Sequence, residues 1–290
     1  MALKGQNRMA WVGVAVSVLL LVAAAAIANS WREDAATSTA STASGRGQLS
    51  HVHGLGVNPA DGQLYVATHH GVFRLSDAEA TRVGDGQQDT MGFTVTGPNE
   101  FLASGHPAAN EDGPRHLGLI HSTDAGRSWQ SLSLAGQADF HLLRSSGGIV
   151  YGLDSTSGTL MASSDRITWQ SRSTIEAYDL AVDPSRPDTL LATTEQGMRR
   201  STDGGRTWTP AGGPRAVLLH WSPRELLAVT ADGALVRSAD AAATWSPTAG
   251  RAPGTPAALT VHENVIYLAT EDGQVLRSAN AGVTWQAMTP

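Results

Sequence analysis

Residues 201–208 have the sequence Ser-Thr-Asp-Gly-Gly-Arg-Thr-Trp, and this segment recurs along the chain in recognisable form. Four other segments also begin with Ser, carry Asp or Asn two residues later and end with Trp. The five tryptophans are spaced 40, 39, 37 and 40 residues apart, and they are Trp129, Trp169, Trp208, Trp245 and Trp285. A period near 40 matches one four-stranded blade of a β-propeller, which takes about 40–45 residues.

The segments around each copy complete a blade. In the fourth blade, we predict strands at Asp179–Val182, Thr189–Thr193 and Met198–Ser201, with a last strand from Thr207 onward. A sixth copy, Gly71 to Asp77, lacks the tryptophan. The sequence therefore predicts an all-β protein with a six-bladed β-propeller over residues 51–290.

The repeated segment has a mechanical interpretation as a hairpin turn. An acidic or amide side chain accepts backbone N–H groups of its own turn, glycine supplies a positive φ, and tryptophan packs between sheets. The predicted structural residues are Asp124, Asp165, Asp203, Asp240 and Asn280. The third copy is one residue short and lacks the glycine, and the fourth has Ala242 in its place. We expect distorted hairpins there, with the blades retained.

These segments resemble the Asp-box (bacterial neuraminidase, BNR) repeat, and six copies resemble the propeller of the sialidase-like superfamily. The resemblance covers about residues 51–290 and implies that the repeated turns lie at the periphery, away from a catalytic face. The opening His-Val-His-Gly-Leu-Gly-Val of residues 51–57 also resembles exported bacterial proteins labelled glycosyl hydrolases. Fold resemblance alone does not establish an activity.

The sialidase residues themselves are missing. That family uses three arginines, an Asp acid and a Tyr–Glu pair, and its Arg-Ile-Pro motif is replaced here by His51-Val52-His53. Another glycoside hydrolase remains open, since two suitably spaced carboxyl groups suffice. The carboxylates expected on one face are Asp139, Asp154, Glu176, Asp179 and Glu195, and the catalytic candidates are Glu176, Tyr178 and Asp179. The alternative is that these carboxylates only cap turns.

The N-terminus has the pattern of an export segment. Lys4 and Arg8 precede an apolar run over residues 9–28, which is long enough to span a bilayer and would leave the remainder outside the cytoplasm. We expect residues 1–30 to be a membrane anchor, with a signal peptide cleaved after Ala28 as the alternative. Residues 31–50, rich in Ala, Ser and Thr, are expected to form a flexible linker.

Composition excludes several classes of function. The 290 residues carry a formal charge of −6, which argues against a nucleic-acid binder. The absence of cysteine excludes a thiol nucleophile, a cysteine zinc site and a disulfide scaffold. Charged residues make up 16% and glycines number 31, which indicates short strands and tight turns. We expect a monomer.

Histidines are the remaining signal. When the ten histidines are placed on the repeat, seven from three neighbouring blades face one mouth of the channel, and the other three, His121, His220 and His262, do not. The seven are His51, His53, His69, His70, His106, His116 and His141.

Convergent imidazoles suit Zn²⁺ or Cu²⁺, and Met91 near the same mouth would favour copper. Alternatively, the histidines only hydrogen-bond loops and water. Three functions therefore compete: a propeller that binds a metal ion at a histidine-rich mouth, a glycoside hydrolase, and a non-catalytic propeller that docks a glycan or an extracytoplasmic protein.

Overall fold

The computed structural model describes Leu49 and residues 51–76, 79–109 and 111–288. The predicted anchor (1–30) and nearly all of the predicted linker (31–50) lie outside the described residues. Within the described part, no helix combines the length and the apolar character needed to cross a bilayer.

The described residues form six four-stranded antiparallel sheets, each built from consecutive strands. Blade 1 comprises β1 (Val52–Val57), β2 (Leu64–Thr68), β3 (Gly71–Ser76) and β4 (Glu79–Arg82). Blade 2 comprises β5 (Asp89–Gly97), β6 (Glu100–His106), β7 (Leu119–Ser122) and β8 (Gln130–Ser133). Blade 3 comprises β9 (Phe140–Ser146), β10 (Ile149–Asp154), β11 (Thr159–Ser163) and β12 (Gln170–Thr174).

The second half of the propeller follows the same order. Blade 4 comprises β13 (Asp179–Val182), β14 (Leu190–Thr194), β15 (Gly197–Ser201) and β16 (Thr209–Pro210). Blade 5 comprises β17 (Ala216–Trp221), β18 (Leu226–Thr230), β19 (Ala234–Ser238) and β20 (Ser246–Arg251). Blade 6 comprises β21 (Pro256–His262), β22 (Val265–Thr270), β23 (Val275–Ser278) and β24 (Gln286–Ala287).

The predicted all-β six-bladed propeller is confirmed. In blade 4 the first strand has the predicted bounds, and the second and third differ by one residue. The last strand starts at Thr209, two residues later than predicted, because Thr207 still belongs to the turn: its amide and hydroxyl both donate to Asp203.

The first strands of the blades form a closed ring around the channel. Each lies beside the first strand of the next blade, and β1 contacts both β5 and β21. Apolar clusters fill the space between neighbouring sheets. Leu49 falls in the predicted linker but is only 3% exposed, packed among residues of blades 1 and 6. The packed region therefore begins at least two residues before the predicted boundary at residue 51, because the Leu49 side chain packs between the first and the last blade.

The repeated turns of blades 2, 4, 5 and 6 share one hydrogen-bond pattern. In blade 4, the Ser201 hydroxyl accepts the amide of Gly205, and Asp203 Oδ1 accepts the amides of Arg206 and Thr207. Ala242 stands where blade 4 has Gly205 and adopts φ +67, so an alanine occupies the left-handed position there. In the shorter turn of blade 3, Arg166 takes a positive φ instead. Both blades keep four strands.

Candidate functional site

Two aspartates lie at the start of neighbouring inner strands. Asp89 is the first residue of β5, and Asp139 directly precedes β9. The inner strands of a propeller begin at the same face, so both carboxylates lie at one mouth of the channel. Imidazoles from blades 1, 2 and 3 surround them.

The first group centres on Asp89. His69 Nδ1 lies 2.9 Å from Asp89 Oδ1, and His53 Nε2 lies 3.9 Å from the same oxygen. The two histidines approach each other to 3.4 Å between His53 Nε2 and His69 Nδ1. The group of His53, His69 and Asp89 offers three ligand atoms that all lie within 4.8 Å of one another. We call this group the Asp89 triad.

The second group centres on Asp139, whose Oδ2 faces three imidazoles. His141 Nε2 lies at 3.1 Å, His106 Nε2 at 3.3 Å and His116 Nδ1 at 3.6 Å. The Ser155 hydroxyl also donates to this oxygen, at 2.8 Å. His106, His116 and Asp139 again offer three ligand atoms within 4.8 Å of one another, and we call them the Asp139 triad.

His106 connects the two triads. Its Nε2 faces Asp139, and its Nδ1 lies 3.4 Å from Asp89 Oδ2. A neutral imidazole donates through one ring nitrogen and carries a lone pair on the other. One of these two contacts therefore requires either an added proton or a cation between nitrogen and carboxylate.

Two atoms of the Asp139 triad are left without a hydrogen bond. Asp139 Oδ1 and His116 Nδ1 are both buried and have no hydrogen-bond partner among the described residues. The Asp139 side chain is only 6% exposed. Buried polar atoms are nearly always satisfied, and a bound ion is one recognised partner for those that make no hydrogen bond within the protein.

The electrostatics of the site leave lone pairs and negative charge available to a cation. Burial, reinforced by the neighbouring His69, lowers the pKa of His53 to about 4, so its imidazole is neutral at neutral pH. Burial alone would raise the pKa of Asp139, but hydrogen bonds from His141 and Ser155 hold it well below its ordinary value. The pKa of Asp89 is likewise lowered, because contacts with His69 outweigh its burial.

The two triads together with His51 and His141 form what we call the histidine cluster, which contains six of the seven predicted histidines. The ring of His51 lies 5.1 Å from that of His69 and flanks the Asp89 triad. His70 is exposed and makes no hydrogen bond, ion pair or ring contact with the other six among the described residues; its amide donates to Thr68 Oγ1. Adjacent residues in the tight β2–β3 turn point in different directions, so only His69 turns inward.

Sequence reasoning missed Asp89 and assigned Asp139 to a different chemistry. Asp139 was expected among the carboxylates of this face, as part of a possible hydrolase site. Asp89 is not among the predicted residues, and its one sequence signal is its position at the start of an inner strand, close to the position of His141 in the next blade.

The hydrolase candidates are placed differently from one another. Glu176 and Tyr178 are exposed on the loop before β13. Asp179 is buried at the start of that strand, where it is paired with Arg144 and accepts the amides of Leu180 and Leu219 at 2.8 Å each. Burial raises the pKa of Asp179, against the opposing charge of Arg144. Glu195 is exposed in the turn between β14 and β15.

A cavity of about 1020 Å³ opens at the mouth beside the cluster. Its wall includes His51, His53, His141 and Met91, with apolar side chains such as Leu153 making up much of the rest. This size falls at the upper end of small-molecule sites, about 300–1,000 Å³. A second cavity of about 290 Å³ lies along the inner strands of all six blades. His220 and His262, predicted to lie away from the mouth, line this channel, and His121 lies on β7 as predicted.

Comparison with known proteins relates the chain to others through its fold. No protein-family model and no curated protein matches the sequence. The GH74 enzyme of Niastella koreensis superposes with a TM-score of 0.61 and 17% identity, covering 83% of this chain and 45% of that one. The chain thus spans less than half the length of that enzyme.

Two further solved structures are similar over most of both chains. Virginiamycin B lyase from Staphylococcus aureus gives a TM-score of 0.55 at 13% identity, covering 83% of this chain and 85% of the lyase. YCF48 bound to a D1 peptide gives a TM-score of 0.51 at 18% identity, covering 83% of each chain. These neighbours include both enzymes and a peptide-bound propeller. At these identities they establish the propeller fold alone.

Proposed function

We propose that this protein is an exported, membrane-tethered β-propeller that binds a transition-metal ion at its channel mouth through the Asp139 triad. The observation that carries the proposal is the approach of His106 Nε2 and His116 Nδ1 to Asp139 Oδ2, at 3.3 Å and 3.6 Å, with the buried His116 Nδ1 making no hydrogen bond among the described residues. A bound cation would satisfy lone pairs that otherwise cost free energy in the folded protein.

The donor set favours Zn²⁺ or Cu²⁺. Two imidazole nitrogens and one carboxylate oxygen suit both ions, and no thiolate is available in the chain. Cu²⁺ would bind the more tightly of the two, following the general order of divalent affinities. Three protein ligands would leave a coordination position for water or for a ligand from the adjoining cavity.

Two parts of this proposal rest on sequence patterns. The anchor is proposed from the charged and apolar pattern of residues 1–28, which would hold the propeller outside the cytoplasm. We also propose that the five repeated turns belong to the Asp-box class. The backbone amides of Gly205 and Thr207 donate to the side chains of Ser201 and Asp203 in the same turn, and these hydrogen bonds support that assignment.

Metal binding is better supported than glycoside hydrolysis. A hydrolase needs two carboxyl groups free to face the substrate. Asp179 is paired with Arg144 and accepts two backbone amides, so its carboxylate is not free to face a substrate. Among the three catalytic candidates, Glu176 is then the only carboxyl group that is free. If the following experiment detects no bound metal, its result would favour the alternative that this face binds a glycan or a protein partner.

The test is metal uptake by the full-length chain purified without a polyhistidine tag. The protein is stripped with a chelator, titrated with Zn²⁺ or Cu²⁺ and analysed for metal per chain. We expect His116→Gln and Asp139→Asn each to lose one ion per chain relative to the parent, with circular dichroism confirming that both fold. His262→Gln is the matched control and should retain the parent's content. Equal metal content in all four proteins would refute the proposal.

A further inference from the structure

We infer that a second metal ion binds to the Asp89 triad and that the two sites are energetically coupled through the contact between Asp89 and His106. The inference rests on the proposed function for the Asp139 triad and adds to it a second site and a reason for the two to communicate.

The spacing of the Asp89 triad fits an ion. Its three donor atoms form a triangle with sides of 2.9 Å, 3.4 Å and 3.9 Å. A triangle with these sides has a centre about 2.0 Å from each corner, which is the length of a zinc–nitrogen or zinc–carboxylate bond. The donors His53 Nε2, His69 Nδ1 and Asp89 Oδ1 are therefore already at the separation that a coordinated ion would impose.

The two oxygens of Asp89 face different sites. Oδ1 belongs to its own triad, whereas Oδ2 lies 3.4 Å from His106 Nδ1. A metal-binding histidine usually donates its second ring N–H to a carboxylate, which fixes the ring and makes the ligating nitrogen more basic. If His106 gives its Nε2 lone pair to the ion at Asp139, its Nδ1–H donates to Asp89. Asp89 is then a ligand at one site and a positioning residue at the other.

This double role predicts negative coupling. An ion on Asp89 draws negative charge away from the carboxylate, so Oδ2 becomes a weaker acceptor for His106. The hydrogen bond that orients His106 and makes its Nε2 more basic is then weaker, so the ion at the Asp139 triad binds less tightly. The two cations also repel each other. Because coupling between binding equilibria is reciprocal, each ion weakens the other by the same factor.

The test compares two variants that both remove the Asp89 triad. The full-length, metal-free chain is titrated calorimetrically with Zn²⁺, and with Co²⁺, whose visible absorption reports on its ligands. The parent should bind two ions in two steps. His69→Gln should bind one ion, at least as tightly as the parent's Asp139 triad. Asp89→Asn should also bind one ion, but about 10- to 100-fold more weakly and with a changed Co²⁺ spectrum.

The outcomes separate the inference from the proposed function. No bound ion in the parent would overturn both. One bound ion that is lost in His116→Gln would overturn only the second site. Two ions in the parent, with identical affinities and spectra in His69→Gln and Asp89→Asn, would overturn the coupling. His70→Gln, at the exposed neighbour of His69, is the control and should match the parent, and His53→Gln serves if His69→Gln does not fold.

Discussion

Asp154 Oδ1 accepts the backbone N–H of Asp139 at 2.9 Å, so one carboxylate of blade 3 fixes the position of another. Asp154 Oδ2 in turn accepts the hydroxyl groups of Thr156 at 2.8 Å and Ser157 at 2.6 Å. The main chain that carries Asp139 into the histidine cluster is therefore held by a side chain that is itself held by two hydroxyl groups.

Asp154→Ala should weaken metal binding at the Asp139 triad about 10- to 100-fold, although Asp154 is not among the proposed ligands. The alanine removes the acceptor that orients Asp139. Asp154→Asn keeps an oxygen that can accept the same N–H and should bind nearly as the parent does. Competition with a chelator of known affinity measures all three proteins. Unchanged affinity in Asp154→Ala, or equal weakening in both variants, would contradict the positioning role.

The fold was predictable because its determinants are local and repeated. In each turn, a side chain such as that of Asp203 accepts backbone amides only three or four residues later in the chain. The residues that form the turn are therefore contiguous, and the pattern can be recognised in each copy. Where a copy departs from the pattern, the backbone adapts: Ala242 takes a left-handed conformation and blade 5 keeps four strands. The burial of Leu49 could not be predicted in this way, because it depends on packing between the first and the last blade, which are far apart in sequence.

The candidate site was predictable only in outline. Aligning the repeats brings His53, His106 and His141 to one face, because equivalent positions in successive blades lie at the same end of the channel. It does not identify Asp89, since a single Asp at the start of a strand also occurs as an ordinary turn residue. Nor does it separate His69 from His70, whose directions are set by the turn between β2 and β3.

Gly205→Ala should destabilise the protein more than Gly126→Ala. Both glycines occupy the same position of the repeated turn, with φ of +80 and +84. A Cβ on Gly205 would lie 2.3 Å from Leu160 Cδ2, whereas a Cβ on Gly126 would lie 3.5 Å from its nearest neighbour, in Phe101. Both variants incur the left-handed cost of about 1–2 kcal/mol, and Gly205→Ala adds overpacking of about 1–3 kcal/mol.

Urea unfolding of the two glycine variants and the parent measures that difference. Ala242, at the equivalent position of blade 5, indicates that Gly126→Ala folds. Equal losses of unfolding free energy would mean that Leu160 moves aside without cost.

Leu49→Ala should cost about 2–5 kcal/mol of unfolding free energy, because it opens a cavity among the residues that join blades 1 and 6. Val283→Ala is the control: that side chain is 56% exposed and should change stability by less than about 0.5 kcal/mol. Denaturant unfolding of both variants in the full-length chain is the measurement. If Leu49→Ala is as stable as Val283→Ala, residue 49 lies outside the cooperative unit.

His220 on β17 is a half-buried imidazole that lines the channel, away from the histidine cluster. Its Nδ1 accepts the amide of Val261 in the next blade at 3.4 Å. Burial, followed by the positive charge of Arg144, lowers the pKa of His220 from 6.5 to about 4. The folded protein therefore holds this imidazole neutral over a pH range in which the unfolded chain protonates it.

The protein should lose stability as the pH falls from about 6.5 to about 4, and His220→Asn should lose less. A lowered histidine pKa contributes stability that is complete above the unfolded pKa and disappears as the pH falls towards the folded pKa. A shift from 6.5 to about 4 corresponds to about 3 kcal/mol between neutral pH and pH 4. Asn retains an acceptor for the Val261 amide, so the variant should fold.

Because His53, with a similarly lowered pKa, is present in both proteins, the difference between their pH profiles isolates His220. Urea unfolding of the metal-free proteins at several pH values gives both profiles, and parallel profiles would show that His220 is not held neutral in the folded state.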